Sequence, residues 1–155
     1  MNFLKRLYLK ILYRGYVIYC FLFRPKVRGA YVLVTYKKDI LLIKNSYKPG
    51  WTFPCGMVHR GENEIDGAKR ELFEEVGIIC EVTDLAFLKE HLSTQNYKYD
   101  YQFFYHLKLL TLPEIILDMA EVIDYKWVTF DHLMDENIPE GVRSITNEFK
   151  DFIFN

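Results

Sequence analysis

Apolar and polar side chains recur at helical spacing along the first 26 residues of the chain. Basic side chains fall on one side of this segment, at Lys5, Arg6, Lys10 and Arg14. From Gly15 to Phe23 the segment is apolar all round, until Pro25 ends the pattern. The uninterrupted apolar run is well short of the ~20 residues that cross a bilayer. The pattern therefore predicts a basic amphipathic helix over residues 1–26.

The remaining residues, 27–155, show strand patterns on both sides of a polar helix. Two apolar runs around Lys37, Lys38 and Asp39 predict a β-hairpin. Further strands are predicted within three segments, at residues 80–93, 98–110 and 122–130. No repeat or linker interrupts these segments, so we expect a single α/β domain with mixed strands.

Two helices complete the expected domain. The first runs from Glu64 to Val76, with Asn63 and Asp66 forming a capping box and Gly77 supplying a left-handed C-cap. The second helix closes the chain between residues 139 and 152. Its apolar spacing turns four side chains inward, Val142, Ile145, Phe149 and Phe152.

Charge is distributed unevenly along the chain. The formal net charge of -1 favours neither a nucleic-acid binder nor a polyanion mimic. Residues 1–28 nevertheless hold seven basic side chains and no acidic one, whereas the other 13 Lys and Arg face all 21 acidic residues. Two interpretations of the N-terminal helix stay open. It packs on the domain or on a second subunit as a homodimer, or residues 3–23 lie on an anionic membrane with the cations at the headgroups.

Cysteine and histidine spacings argue against a disulfide framework and against a zinc site. The three cysteines are odd in number and form no CxxC pair, and the four histidines form no HExxH pattern. Free thiols of this kind are typical of a reducing compartment, so we expect a cytoplasmic protein.

Three glutamates of the first domain helix share one face, because Glu71, Glu74 and Glu75 stand at i, i+3 and i+4. Like charges at this spacing oppose helix formation by roughly 0.2–0.5 kcal/mol per pair. We expect these carboxylates to project away from the apolar stripe that docks on the sheet, Ile65, Ala68 and Leu72. Hard divalent cations prefer oxygen ligands, so metal binding would turn the repulsion into coordination. A solvated acidic face is the alternative.

The glutamates belong to a longer motif. The stretch GMVHRGENEIDGAKRELFEEVGI, from Gly56 to Ile78, matches every defined position of G-x5-E-x7-R-E-U-x-E-E-x-G-U, where U is aliphatic. This pattern is the Nudix box, and the chain resembles the MutT-type Nudix hydrolase family. Glu121, six residues before Trp127, is similar to a glutamate in the later strands of that family. The resemblance covers residues 27–153, and the N-terminal helix lies outside it.

The resemblance implies both a fold and an activity. The fold is an α/β/α sandwich with a mixed β-sheet and a loop-helix-loop catalytic motif. The activity is metal-dependent hydrolysis of a phosphoanhydride bond in a nucleoside diphosphate linked to another group. A nucleotide-sensing module without turnover is one alternative, and a membrane-associated adaptor that uses the N-terminal helix is another.

Roles for individual residues also follow from the resemblance. The ligands implied for Mg²⁺ or Mn²⁺ are the carbonyl of Gly56 and the carboxylates of Glu71, Glu74 and Glu75. Glu62 and Arg70 would brace the motif, and Arg70 stands four residues before Glu74, where a guanidinium can orient a carboxylate. The base that takes a proton from water stays open between Glu71, Glu75 and Glu121.

The substrate is less well defined by the sequence than the bond that is cleaved. Nucleoside triphosphates, nucleotide sugars, dinucleoside polyphosphates and capped RNA all stay open. We expect a small nucleotide, because an acidic body disfavours long RNA. The candidate phosphate contacts are Arg28, Lys44, Tyr47 and Lys48. The candidate side chains for stacking on a base are Phe53 and Tyr101.

Overall fold

The computed structural model describes residues 2–133 and 135–154 of the chain. The helices and strands follow in the order α1 (Asn2–Phe23), β1 (Lys26–Tyr36), β2 (Asp39–Asn45), β3 (Cys55–Met57), α2 (Glu64–Val76), β4 (Leu85–Ser93), β5 (Tyr99–Leu109), β6 (Val122–Thr129), α3 (Phe130–Leu133), α4 (Glu140–Glu148) and α5 (Lys150–Phe154). Short 3₁₀ turns at Val82–Asp84 and Gln95–Tyr97 precede β4 and β5.

One mixed sheet organises these elements, with the strand order β4-β5-β1-β2-β6 and with β3 paired to β1. β1 and β5 run parallel along their whole length, whereas the other neighbouring strands are antiparallel. β1 and β2 form the predicted hairpin, and Lys37 takes a positive φ of 54° in its two-residue turn. β1 therefore lies in the middle of the sheet, next to β2, β3 and β5.

α2 covers one face of the sheet. Its apolar stripe enters a core shared with β1, β2 and β5, whose members include Val32, Val34, Leu41, Ala68, Leu72 and Leu107. Each fully buried Val or Leu contributes roughly 1.5–3 kcal/mol, so this packing sets the rotation of α2 about its axis. The helix has its predicted bounds, and Gly77 ends it with a φ of 72°, which confirms the left-handed C-cap.

The C-terminal helices cover the opposite face. This second core combines sheet residues with α4 and α5, and its members include Leu33, Leu42, Phe104, Val142, Ile145 and Ile153. Helices thus lie on both faces of a mixed sheet, which confirms the predicted α/β/α fold.

The closing helix differs from its prediction. α4 ends at Glu148 and α5 begins at Lys150, because Phe149 leaves the helical conformation with φ -103° and ψ 12°. The break rotates the last turn, so that Ile153 is 1% exposed and Phe152 is 58% exposed. The prediction that Phe152 faces the core is therefore wrong.

Two other local predictions are wrong as well. Residues 80–84 do not extend β4, because a capping box between Glu81 and Asp84 closes a 3₁₀ turn there. Asn63 makes no side-chain capping bond to α2. Its amide donates a hydrogen bond to Asp66 Oδ2 at 3.2 Å, which leaves the predicted capping box unformed.

α1 is one continuous helix, as predicted, and its inner face lies against the domain. Several contacts hold it there. Arg6 Nη2 donates a hydrogen bond to the carbonyl of Met119 at 3.1 Å. The ring centroids of Tyr13 and Tyr47 lie 5.5 Å apart, and those of Phe21 and Tyr97 lie 5.0 Å apart. The outer face of α1 carries exposed apolar side chains, among them Leu4, Leu7, Ile11, Ile18 and Leu22. Across residues 2–133 and 135–154, every helix is too short or too polar to cross a membrane.

Candidate active site

Gly56 of β3 and Glu71 of α2 bring the two ends of the glycine-to-glutamate motif into contact. β3 pairs with β1, so Gly56 lies opposite Ala30 in the sheet. A Cβ atom added at position 56 would overlap the carboxyl group of Glu71. Glycine alone lacks a Cβ, so this close approach explains the residue type at position 56.

The side chain of Glu75 is buried where α2 packs against residues 45–55. It is 2% exposed, and its Oε2 accepts a hydrogen bond from the backbone N–H of Cys55 at 2.8 Å. Asn45 Nδ2 donates to Glu75 Oε1 at a longer 3.4 Å. Glu71 is 8% exposed, whereas Glu74 lies at the surface. The prediction that all three carboxylates project away from the packed side of α2 is therefore wrong, because β3 and the segment before it pack across that flank of the helix.

Arg70 connects the loop before α2 with the acidic face of the helix. Its Nε and Nη2 donate to the two carboxylate oxygens of Glu62 at 2.9 and 3.0 Å. Its Nη1 donates to Glu71 at 2.6 Å and to Glu74 at 2.9 Å, and Nη2 also reaches the carbonyl of Met57 at 2.9 Å. Two-point pairing of a guanidinium with a carboxylate fixes geometry as well as charge, so Arg70 orients three acidic side chains at once.

Electrostatics separate Glu62 from the acidic residues deeper in the site. Hydrogen bonding from Arg70 lowers the pKa of Glu62 to about 2, so this residue is a permanent anion. Burial raises the pKa of Glu71, Glu75 and Glu121, and the charge of neighbouring carboxylates raises each of these pKa values further. It is therefore unfavourable for Glu71, Glu75 and Glu121 to be ionised at the same time.

Glu121 reaches this cluster from the loop before β6. Its backbone carbonyl accepts a hydrogen bond from Ser46 N–H at 2.7 Å, which ties the loop to the end of β2. Its negative charge is among the causes that raise the pKa of both Glu71 and Glu75. The residue singled out from the sequence therefore lies near the glutamates of α2.

The donor chemistry of this cluster fits a divalent cation. Carboxylate and carbonyl oxygens are its preferred ligands, and a positive ion would offset the burial and repulsion that raise the pKa of Glu71 and Glu75. Within residues 2–133 and 135–154, no three acidic, histidine or cysteine side chains already converge on one point. Arg70 holds Glu71 and Glu74, while Glu75 accepts from the Cys55 amide. Coordination by all three carboxylates therefore requires side-chain rotation.

A cavity of about 180 Å³ opens beside Gly56. Four tyrosines contribute to its walls, namely Tyr13 and Tyr16 of α1, Tyr31 of β1 and Tyr47 of the loop after β2. Charged groups in its lining include Lys48, Lys98 and Asp100. The thiol of Cys55 also borders it, and burial raises the pKa of that thiol to about 12, so it stays protonated.

The cavity contains two of the substrate contacts predicted from the sequence, Tyr47 and Lys48. Its lining does not include the other four, Arg28, Lys44, Phe53 and Tyr101. Arg28 pairs with Glu64 at 2.6 Å, and Phe53 is fully buried in the second core, so neither is available to a ligand. Sequence reasoning missed the tyrosines of α1, because a helical pattern does not reveal which face meets the domain.

Comparison with known proteins extends the motif match to most of the chain. The family model of the NUDIX domain matches residues 25–149. The protein belongs to the Nudix family. The assignment suggested by Gly56–Ile78 is thereby confirmed, and α1 precedes the matched region.

Two curated relatives of this Nudix protein illustrate the range of the match. The 8-oxo-dGTP diphosphatase of Buchnera aphidicola is 32% identical over 115 residues, which are 74% of this chain and 89% of the relative. Nudix hydrolase 6 of Arabidopsis thaliana is 32% identical over 114 residues, which are 70% of this chain and 40% of the relative. The chain therefore spans less than half the length of that plant protein.

A solved Nudix structure confirms the architecture. The MutT protein from Methanosarcina mazei Go1 superposes with a TM-score of 0.73 at 22% sequence identity, covering 83% of this chain and 96% of that chain. At this level of identity the likeness establishes the Nudix fold alone.

Proposed function

We propose that this Nudix protein is a divalent-metal-dependent pyrophosphohydrolase acting on a nucleoside diphosphate linked to another group. One observation carries the proposal: the buried carboxylates of Glu71 and Glu75 lie against Gly56 and Cys55, which line a cavity together with Lys48. Glu71 pairs with Arg70, whereas Glu75 accepts hydrogen bonds from the neutral Cys55 amide and Asn45 side chain. Burying such a carboxylate is unfavourable for folding, so its retention points to a ligand that compensates it.

The metal would be held by the donor set that the motif implies. Glu71, Glu74, Glu75 and the carbonyl of Gly56 would be the ligands of Mg²⁺ or Mn²⁺. When bound, such an ion polarises phosphoryl oxygens and lowers the pKa of coordinated water. Arg70 holds Glu71 and Glu74 in position through the hydrogen bonds of its Nη1 atom, and it is anchored by Glu62.

Proton transfer from the attacking water is assigned to the same cluster. Glu71, Glu75 and Glu121 are the candidates, since burial raises the pKa of each toward the range in which a carboxylate is an effective base. Glu121 is attached to a loop rather than to α2, so it can respond to substrate without disturbing the ligands on the helix.

The cavity supports a small nucleotide as substrate. The positive charge of Lys48 lowers the pKa of both Glu75 and Glu121, against the effect of burial. Lys48 therefore lies near these two carboxylates. An ammonium in that position can pair with a phosphate of the substrate. Long RNA needs a clustered basic surface, which the acidic body of this chain does not favour.

The activity is tested by a screen of nucleoside diphosphate derivatives with Mg²⁺ or Mn²⁺, in which products are separated and quantified. We expect two products from one bond, each carrying a phosphate, and no turnover with a chelator present. A nucleotide-sensing module would bind members of the same panel and release no product, which would overturn the enzymatic proposal.

We also propose that the outer face of α1 contacts an anionic membrane surface. Its exposed apolar side chains follow helical spacing through Leu4, Leu7, Ile11, Ile18 and Leu22. α1 carries four basic side chains, Lys5, Arg6, Lys10 and Arg14, and no acidic one, so two α1 helices placed together would repel each other, whereas anionic headgroups attract them.

Vesicle sedimentation tests this contact. The full chain should pellet with vesicles that contain phosphatidylglycerol and should stay in solution with neutral vesicles. The double variant Ile11→Gln, Ile18→Gln should lose the interaction, since both exposed apolar side chains become polar. Equal pelleting of the variant would refute the proposal, and a stable dimer in sedimentation velocity would assign this face to a second copy.

A further inference from the structure

The cavity beside Gly56 has one wall that the Nudix family match does not contain. The match begins at residue 25, whereas Tyr13, Tyr16 and Val17 of α1 line the cavity. α1 therefore adds side chains to a site whose other walls come from the domain itself. These side chains lie outside the residues that the family model matches.

The rings of Tyr13 and Tyr47 form an aromatic pair at this wall. Their centroids lie 5.5 Å apart, with an angle of 49° between the ring planes. Lys48 Nζ lies 5.8 Å from the Tyr13 centroid and 5.4 Å from the Tyr47 centroid. The charge of the same ammonium reaches Glu75 and Glu121, so Lys48 lies near both the aromatic pair and the carboxylates.

These groups match the chemical parts of a nucleotide. The carboxylates are the expected place for the metal and the scissile diphosphate, Lys48 offers a charge for phosphate, and the two rings offer a surface for the base. Planar heterocycles stack on tyrosine rings with little dependence on their identity. The cavity of about 180 Å³ is smaller than the 300–1,000 Å³ of sites that enclose a whole drug-sized ligand, so it suits one end of the substrate.

Tyr16 lines the same wall, and the Lys98 ammonium lies 5.9 Å from its ring centroid. Its hydroxyl is buried beside the Cys20 thiol, so Tyr16 contributes ring surface to this wall rather than a hydrogen-bonding group.

We propose that α1 supplies the base-recognition wall of the substrate site, in which Tyr13 and Tyr47 together form the ring surface on which the nucleobase stacks. This inference deepens the proposed function and rests on it for the position of the diphosphate. It makes α1 part of the substrate site.

Binding of non-hydrolysable nucleotides tests the inference separately from turnover. The probes are the α,β-methylene analogues of ADP, GDP, CDP and UDP, titrated calorimetrically against the full chain with Mg²⁺. Tyr13→Leu should weaken binding of the preferred analogue by about 5- to 100-fold, because it removes a stacking surface. Tyr13→Phe should bind like the wild type. Tyr8→Leu is the matched control, since Tyr8 is an exposed tyrosine of the same helix that does not line the cavity.

Kinetics provide a readout that a purely structural role of Tyr13 would not change in the same way. Tyr13→Leu should raise KM for the nucleotide found in the screen while leaving kcat within about twofold, and hydrolysis of phosphoribosyl diphosphate, which has no base, should be unaffected. In a double-mutant cycle, Tyr13→Leu and Tyr47→Leu should be less than multiplicative, because both act through the same base.

The outcomes distinguish this inference from the activity itself. Turnover by the wild type with equal analogue binding by Tyr13→Leu would overturn the role of α1 and leave the activity standing. Analogue binding that depends on Tyr13 without any turnover would support the role of α1 and overturn the activity. If the wild type bound none of the four analogues, the inference would be overturned.

Discussion

The backbone N–H of Cys55 donates a hydrogen bond to Glu75 Oε2 at 2.8 Å, and this bond joins β3 to the last turn of α2. A side chain that the motif marks as a metal ligand is thus also part of the packing between two elements. Its carboxylate is almost completely buried, with Glu71 and Glu121 close enough to oppose its ionisation. The chemical role of such residues is separated from their structural role when turnover and stability are measured on the same variants.

Glu75→Gln should lower turnover at least about 100-fold and leave the protein folded. The amide oxygen can still accept the Cys55 N–H, while the buried negative charge is removed, so the melting temperature measured with a chelator should stay equal or rise. Turnover at the wild-type rate would refute the assignment of Glu75 as a ligand. A folded variant whose melting temperature is much lower would show that the structural role dominates.

Gly56→Ala should reduce both stability and activity, because the new methyl group overlaps the Glu71 carboxylate and displaces it. We expect a loss of about 1–3 kcal/mol in the free energy of unfolding, the usual effect of overpacking. Gly15→Ala is the matched control. It lies within α1 with no atom near the added methyl group, so it should stabilise the protein by about 0.5–1 kcal/mol. Equal effects of the two substitutions would contradict the close approach at Gly56.

Arg70→Lys should destabilise the loop before α2 although it retains the positive charge. A lysine cannot pair with both oxygens of Glu62 while also reaching Glu71, Glu74 and the Met57 carbonyl. We expect the unfolding free energy to fall by about 1–3 kcal/mol, measured by urea denaturation, together with a drop in kcat. Lys69→Gln removes an exposed ion pair with Glu81, so its unfolding free energy should stay close to that of the wild type. A larger loss in Lys69→Gln than in Arg70→Lys would disprove the bracing role.

His106 should make stability depend on pH below neutrality. Burial lowers its pKa to about 4, and its Nε2 lies 2.8 Å from Thr35 Oγ1 in the sheet. The unfolded chain binds a proton near pH 6.5 whereas the folded chain resists it until about pH 4, so the free energy of unfolding falls as the pH decreases through this window. The loss should reach up to about 3 kcal/mol, measured by denaturation at several pH values.

The matched variants for this effect are His106→Gln and His59→Gln. Replacing His106 should flatten the dependence of stability on pH between about 4 and 6.5, since the titrating group is gone. His59 is exposed, so its replacement should leave the slope as it is in the wild type. Parallel curves for His106→Gln and the wild type would show that other groups produce the dependence.

The sequence by itself determined the family, the bounds of α2 and the hairpin of β1 and β2. These features depend on local order: the spacing of Gly56, Glu62 and the three glutamates, the left-handed glycine at position 77, and two apolar runs around a short polar turn. Local order also revealed the unusual charge of the first 28 residues. It placed a helix there and ended it at Pro25.

The tertiary structure alone decided which sides of these elements are buried. Helical spacing put Glu71 and Glu75 away from the apolar stripe, yet β3 and the segment before it pack across that flank, because the pairing of β3 with β1 joins residues distant in the chain. The same holds for α1, whose inner face meets Tyr47, a residue distant from it in the chain. Burial, and with it the pKa of a carboxylate or the exposure of a tyrosine, depends on non-local contacts that a one-dimensional pattern does not contain.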